Sequence, residues 1–283
     1  MPGDAVRAEI YRLMRNRTAL FWSALFVPIA AFLLTLLGSW LMRGNEAALA
    51  EAGAHLGVAP TALDLGERLA DHAADLAGGP LLLFVLIGAA TVFAGDYRWE
   101  TWRLIRARNR RVNLILGKVA AVALLILMAM LAMLIAAMAA EPIRAAMLGR
   151  GVTFAMGVER LGAALALFGL GWLRILQFMM IGLFAAVLTR SLMAALFIPL
   201  VLGVAQAMAV PMLMGMLGVM PDSWTMQLLL PGQAFEALKS AVIGADAAPA
   251  ALLAKAWTGL ILWTAAPLAA AIALFERQDL SKE

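Results

Sequence analysis

Arg174 stands in the middle of the apolar run Leu161–Leu188, and Gln177 follows it one turn later. On a helix the two share a face, so a fixed positive charge and a carboxamide could meet an acidic group in a membrane pathway. A central arginine costs about 2.5–3.5 kcal/mol to insert, so it needs a partner. Substrate contact is one reading. Structural pairing with a carboxylate, or with carbonyls of a broken neighbouring helix, is the other, and snorkelling would lower the cost. Gln206, in the next apolar run, is a second polar group that could line a cavity. Met208, Met212, Met214 and Met216 cluster beside Pro211, where adaptable thioethers suit apolar packing better than copper recognition.

Other constellations are sparse. The two histidines, His55 and His72, lie 17 apart among Glu51, Asp64, Glu67, Asp71 and Asp75, without the i, i+4 spacing of a helical metal site. Glu67, Arg68, Asp71, His72 and Asp75 fit the solvated face of an external helix. Gly117-Lys118 lacks the earlier glycine and the following hydroxyl of a phosphate-binding loop, and it opens an apolar helix. Lys118 therefore reads as an interface anchor. There is no Gly-x-Ser-x-Gly elbow and no cysteine, which excludes thiol chemistry and disulfides.

The elements that must carry these groups are membrane spans. Apolar residues make up 64% of the 283 and charged ones 14%, against about 45–50% and roughly 25% in soluble domains. Six apolar runs are candidates to cross a bilayer: Leu20–Met42, Pro80–Gly95, Leu114–Ala140, Leu161–Leu188, Leu192–Val219 and Leu252–Phe275. The second is short and is expected to extend by a turn. Pro199 and Pro211 predict a kink or break in the fifth, and Pro28 and Pro267 predict bends in the first and last. The fold expected is all-α: a polytopic membrane protein with six transmembrane helices and one transmembrane domain over 1–283.

With six spans both termini share a side. That side holds fourteen of the 22 lysines and arginines, the other holds seven, and Arg174 is inside a span. The positive-inside rule places both termini in the cytoplasm. Residues 1–18 predict an amphipathic helix along the interface, with Val6, Ile10, Leu13 and Met14 on its apolar side and a break at Arg15-Asn16-Arg17. No cleavable signal peptide is expected from this charged opening. The loop 43–79 is long and rich in Ala and Leu, which favours helices that could cap the outer mouth.

The cytoplasmic stretch Asp96–Asn113 sets Trp99, Trp102, Leu104 and Ile105 among dense arginines. Charge alone is explained by contact with lipid headgroups. The order of residues adds more. Asp96, Thr101, Arg103, Leu104, Arg110 or Arg111, and Lys118 resemble the signature of type-2 ATP-binding-cassette permeases, with Glu100 where that family has Gly and Asn109 near its usual Pro. The opening helix looks like that family's elbow helix. Leu230-Pro231 with Gly232–Val242, inside an external segment 220–251, is similar to its re-entrant element, and Phe275–Leu280 resembles its closing motif.

The resemblance implies an ABC transporter permease, an exporter by the habit of its relatives, in the cytoplasmic (inner) membrane. It implies a short coupling helix in 96–113, with Trp99, Thr101, Trp102, Arg103 and Arg106 meeting a separate ATPase subunit. It further implies a second permease subunit, as homodimer or with a related chain. ATP and Mg would sit on the ATPase, leaving no cofactor and no catalytic residue in this chain, and no nucleic-acid partner. A six-span membrane-embedded enzyme or an assembly scaffold is the alternative. A secondary transporter is disfavoured, because the spans contain no acid for proton coupling.

Overall fold

A computed structural model describes residues 2–43, 62–98, 110–244 and 248–278. The architecture is all-α, with six helices long and apolar enough to cross a membrane among the described residues. Helix α1 is Pro2–Arg15. The spans are α2 (Arg17–Met42), α4 (Gly79–Arg98), α5 (Arg111–Met147), α6 (Val158–Thr189), α7 (Leu192–Leu217) and α10 (Ala250–Arg277). Shorter helices are α3 (Leu65–Asp75), α8 (Trp224–Leu229) and α9 (Pro231–Ile243). Two short strands, β1 (Leu63–Asp64) and β2 (Val152–Thr153), pair in parallel.

The expected break after α1 is present. Asn16 leaves helical geometry, and its side chain accepts a hydrogen bond from Ala19 N, starting α2. One face of α1 differs from expectation. Ala5, Glu9 and Leu13, spaced i, i+4, i+8, form the buried stripe against α5, whereas Met14 is exposed. Helix α4 extends beyond both ends of the apolar run, as expected for a short span.

The prolines do not break their helices. Helix α7 runs through Pro199 and Pro211, and α10 through Pro267. Pro199 is buried against α6, near Gly182, so packing holds the chain helical where one ladder bond is missing. In α2, Phe21–Leu25 widens into a π turn just before Pro28, which relieves the carbonyl that a proline ring would strike.

Helix α6 is the centre of the bundle, packed by α4, α7, α9, α10 and α3. Helices α2 and α7 turn most of their apolar surface outward, including Leu33, Leu34, Val201 and Met208, as a lipid solvent permits. The core is carried by α4, α5 and α6 through Leu86, Leu125, Ile126, Met130, Ile175 and Met179. Contacts among α1, the end of α4, the start of α5 and the end of α10 gather at one end of the bundle. Helices α3 and α9 and the strand pair gather at the other.

Candidate functional site

Asp96 and Lys118 flank the segment 99–109 on α4 and α5, and they meet. Lys118 Nζ lies 2.6 Å from Asp96 Oδ2 and donates to Val92 O at 2.6 Å. Asp96 Oδ1 accepts from Arg12 Nη2 at 3.0 Å, and Arg12 Nη1 donates to Glu9 Oε1 at 3.2 Å. Glu9 Oε1 is 3.8 Å from Lys118 Nζ, which closes the circuit. Two cations and two anions thus join α1, α4 and α5. The Lys118 and Asp96 side chains are only 2% and 4% exposed. At that depth an unbalanced charge would cost several kcal/mol, so the alternation of sign permits the burial. Burial works against the Arg12 charge, yet Asp96 and then Glu9 outweigh it and raise the guanidinium above its ordinary range.

Lys118 is therefore not an interface anchor. Its stem lies in protein, and its charge is spent on Asp96, Val92 and Glu9. Gly117 lets α1 come this close. A Cβ there would lie 3.0 Å from Ala5 O. A cavity of about 330 Å³ opens beside the cluster, reached by Asn16, Thr91 and Leu192 as well as by the charged side chains.

The coupling candidates Trp99, Thr101, Trp102, Arg103 and Arg106 lie outside the described residues. Arg111, which follows them in the chain, ties the start of α5 to the end of α10. Arg111 Nη1 sits within hydrogen-bond distance of Phe275 O, Glu276 O and Gln278 O, at 3.0, 2.6 and 2.8 Å. It caps the last turn of α10, where carbonyls lack helical partners and a cation is favoured. Tyr97 donates to Gln278 Oε1, and Gln278 Nε2 donates to Val187 O. Helices α4, α5, α6 and α10 are laced together by this closing stretch.

Of the pathway candidates, Arg174 and Gln177 come together. Arg174 Nη1 donates to Gln177 Oε1 at 2.7 Å, and the guanidinium lies over the rings of Phe178 (4.6 Å) and Phe235 (6.0 Å). Neither a carboxylate hydrogen bond nor a carbonyl of α7 completes the set among the described residues. The charge faces α9 instead, with Nη2 against Gly232. Gln177 is fully buried and its Nε2 has no partner among the described residues. Gln206 lies apart on α7, half-buried, with Nε2 likewise unpartnered.

At the opposite end, His72 is not on a wet face. Its Nε2 is 2.9 Å from Glu141 Oε1, and Arg144 Nε lies 3.4 Å from Glu141 Oε2, so a half-buried imidazole fastens α3 to the end of α5. Glu67, Asp71 and Asp75 of that helix are exposed, and Lys239 of α9 reaches Asp75 at 3.3 Å. No group of three or more metal-ligating side chains gathers among the described residues. His55 lies outside them.

Sequence reasoning missed Glu9 and Arg12 as partners of Asp96 and Lys118, and Phe178, Phe235 and Gly232 around Arg174. A signal was available for the first pair. Glu9 interrupts the Ala5–Leu13 stripe of α1, and an acid on an apolar stripe asks for a buried cation. No spacing rule connects α6 to α9.

Comparison with known proteins agrees with this architecture. No curated protein matches the chain. The family model for ABC-2 family transporter proteins matches residues 5–280, which takes in all six spans, most of α1 and both flanks of the segment 99–109. The chain belongs to the ABC-2 transporter family and is a multi-pass transmembrane permease subunit.

Proposed function

We propose that this permease is driven by a separate ATP-binding subunit docked on residues 99–109, and that it exports its substrate. The observation that carries the reading is the Asp96–Lys118 ion pair. It fastens the two helices flanking that segment to each other, and Arg12 and Glu9 fasten both to α1. A push on the segment would therefore move α1, α4 and α5 as one body rather than bend a loose loop. The α1 end then faces the cytoplasm of an inner membrane, in keeping with its surplus of arginine, and two permease subunits pair over two ATPases. ATP and Mg belong to those partners. Export is the direction that the family resemblance favours.

The test is reconstitution with the ATPase in proteoliposomes. Trp102→Ala and Arg103→Ala are expected to leave insertion intact while ATP hydrolysis no longer drives transport. Coupling equal to wild type in both variants would refute the docking site. ATP-dependent accumulation in inside-out vesicles is the expected sign of export, and efflux from them would reverse the direction.

A further inference from the structure

Three features meet at Arg174 that should repel one another or go unsatisfied. The guanidinium carries a fixed charge inside the bundle. Its Nη2 lies against Gly232 in the first turn of α9, whose 13 residues bring the positive end of a helix dipole to the same place. Among the described residues no side chain caps that end: Leu230 is the N-cap residue and Pro231 follows it. The third feature is Gln177. Its Oε1 takes the Arg174 hydrogen bond, so the Nε2 of the same carboxamide adjoins the guanidinium, wholly buried and without a partner among the described residues. Glu236, exposed on α9, acts on Arg174 through space without a hydrogen bond among the described residues.

The cation and the helix N-terminus meet, an orphaned amide donor adjoins the cation, and each wants negative charge. The rings of Phe178 and Phe235, both buried, stand beside the guanidinium. We infer that Arg174, Gln177 and the first turn of α9 bind one acidic group, a carboxylate or phosphate. The site concerns what the permease holds, and it requires no ATPase to be tested.

The experiment uses purified permease in a neutral maltoside detergent. Thermal unfolding and tryptophan fluorescence are followed against sodium decanoate, decyl phosphate, decanol and inorganic phosphate. Decanoate or decyl phosphate is expected to stabilise the protein saturably, decanol is not, and Arg174→Gln is expected to weaken the response by roughly tenfold or more. Stabilisation by inorganic phosphate with the same Arg174 dependence would also support the acidic-group site, and would name a free anion as its source. Equal responses to decanoate and decanol, or an Arg174→Gln response equal to wild type, would overturn it. Glu236→Gln guards against a misfolded Arg174 variant, since Glu236 is exposed. Removing that competing charge should tighten anion binding about two- to fivefold, and unchanged affinity would count against the site. Because no ATPase is present, failure here leaves the coupling proposal standing, and loss of coupling leaves this one standing.

Discussion

Lys118 Nζ and Asp96 Oδ2 lie 2.6 Å apart across the α5–α4 contact, almost wholly removed from solvent. Among the described residues their neighbours make the arrangement a balanced set of four charges, not a lone pair. Balance predicts a specific non-additivity. Among the described residues Lys118→Met leaves Arg12 as the one cation facing Glu9 and Asp96, and removing one partner of a buried pair costs about 3–5 kcal/mol. Adding Glu9→Gln removes the surplus charge. The double variant is therefore expected to unfold at a higher temperature than Lys118→Met alone, as measured on protein purified in detergent. A double variant less stable than the single one would show that the cluster is not organised by charge balance.

The approach of α1 depends on Gly117. A Cβ at that position meets Ala5 O and Ala5 C at 3.0 and 3.1 Å, and a helix backbone cannot rotate away as a side chain would. Gly117→Val should lift α1 and draw Glu9 and Arg12 from their partners, with Gly117→Ala giving a smaller effect. Gly38→Ala in α2 is the control, because nothing lies within 4 Å of its Cβ position. There the helix should lose nothing and gain up to about 1 kcal/mol. Faster amide hydrogen exchange in residues 5–13 for Gly117→Val, against none for Gly38→Ala, is the expected result.

Much of this fold was legible because a bilayer reduces the problem to runs of apolar residues. Six runs gave six helices, with ends displaced mainly where polar residues still suit a helix, as from Ala140 to Met147 in α5. Of the kink or break predicted at Pro199, the break is absent, because packing against α6 keeps the helix continuous. Long-range polar pairing was the least legible part. Arg12 and Asp96 are 84 positions apart, and His72 and Glu141 are 69. Residue type announces that Lys118 or Arg174 needs a partner, but only the crossing of helices decides which one.

The closing motif has a mechanical role that Arg111 tests. Three carbonyls at the end of α10 converge on its Nη1. A lysine could carry the charge, but its shorter stem reaches fewer of the three carbonyls that meet Nη1. Arg111→Lys is expected to retain part of the cap and Arg111→Met none, so hydrogen exchange at 274–278 should rise in that order. Because Gln278 also touches Tyr97 and Val187, Arg111→Met should loosen the end of α4 as well. Exchange confined to α10 would mean that the four helix ends are not mechanically joined.

Asp64 fastens the β1–β2 pair at the opposite end, with a defined pH window. Its Oδ1 accepts from Ala155 N and Gly66 N, both at 2.9 Å, and Oδ2 pairs with Arg160. The bonds from Ala155 and then Gly66 lower its pKa, with Arg160 adding to them. A depressed folded value means that the stabilising contribution is fully present above the unfolded value of about 3.9 and fades as pH falls through the folded one. Neutral and mildly acidic solutions should therefore look alike. Because the chain has no cysteine, a single spin label at Phe154→Cys can report on the β1–β2 contact. The label is expected to stay ordered from pH 7 to 5 and to gain mobility below about pH 4. With Asp64→Asn, which keeps an acceptor but not the charge, mobility should be raised at pH 7 and change little on acidification. A wild-type transition near pH 6 would place control of this pair on another group.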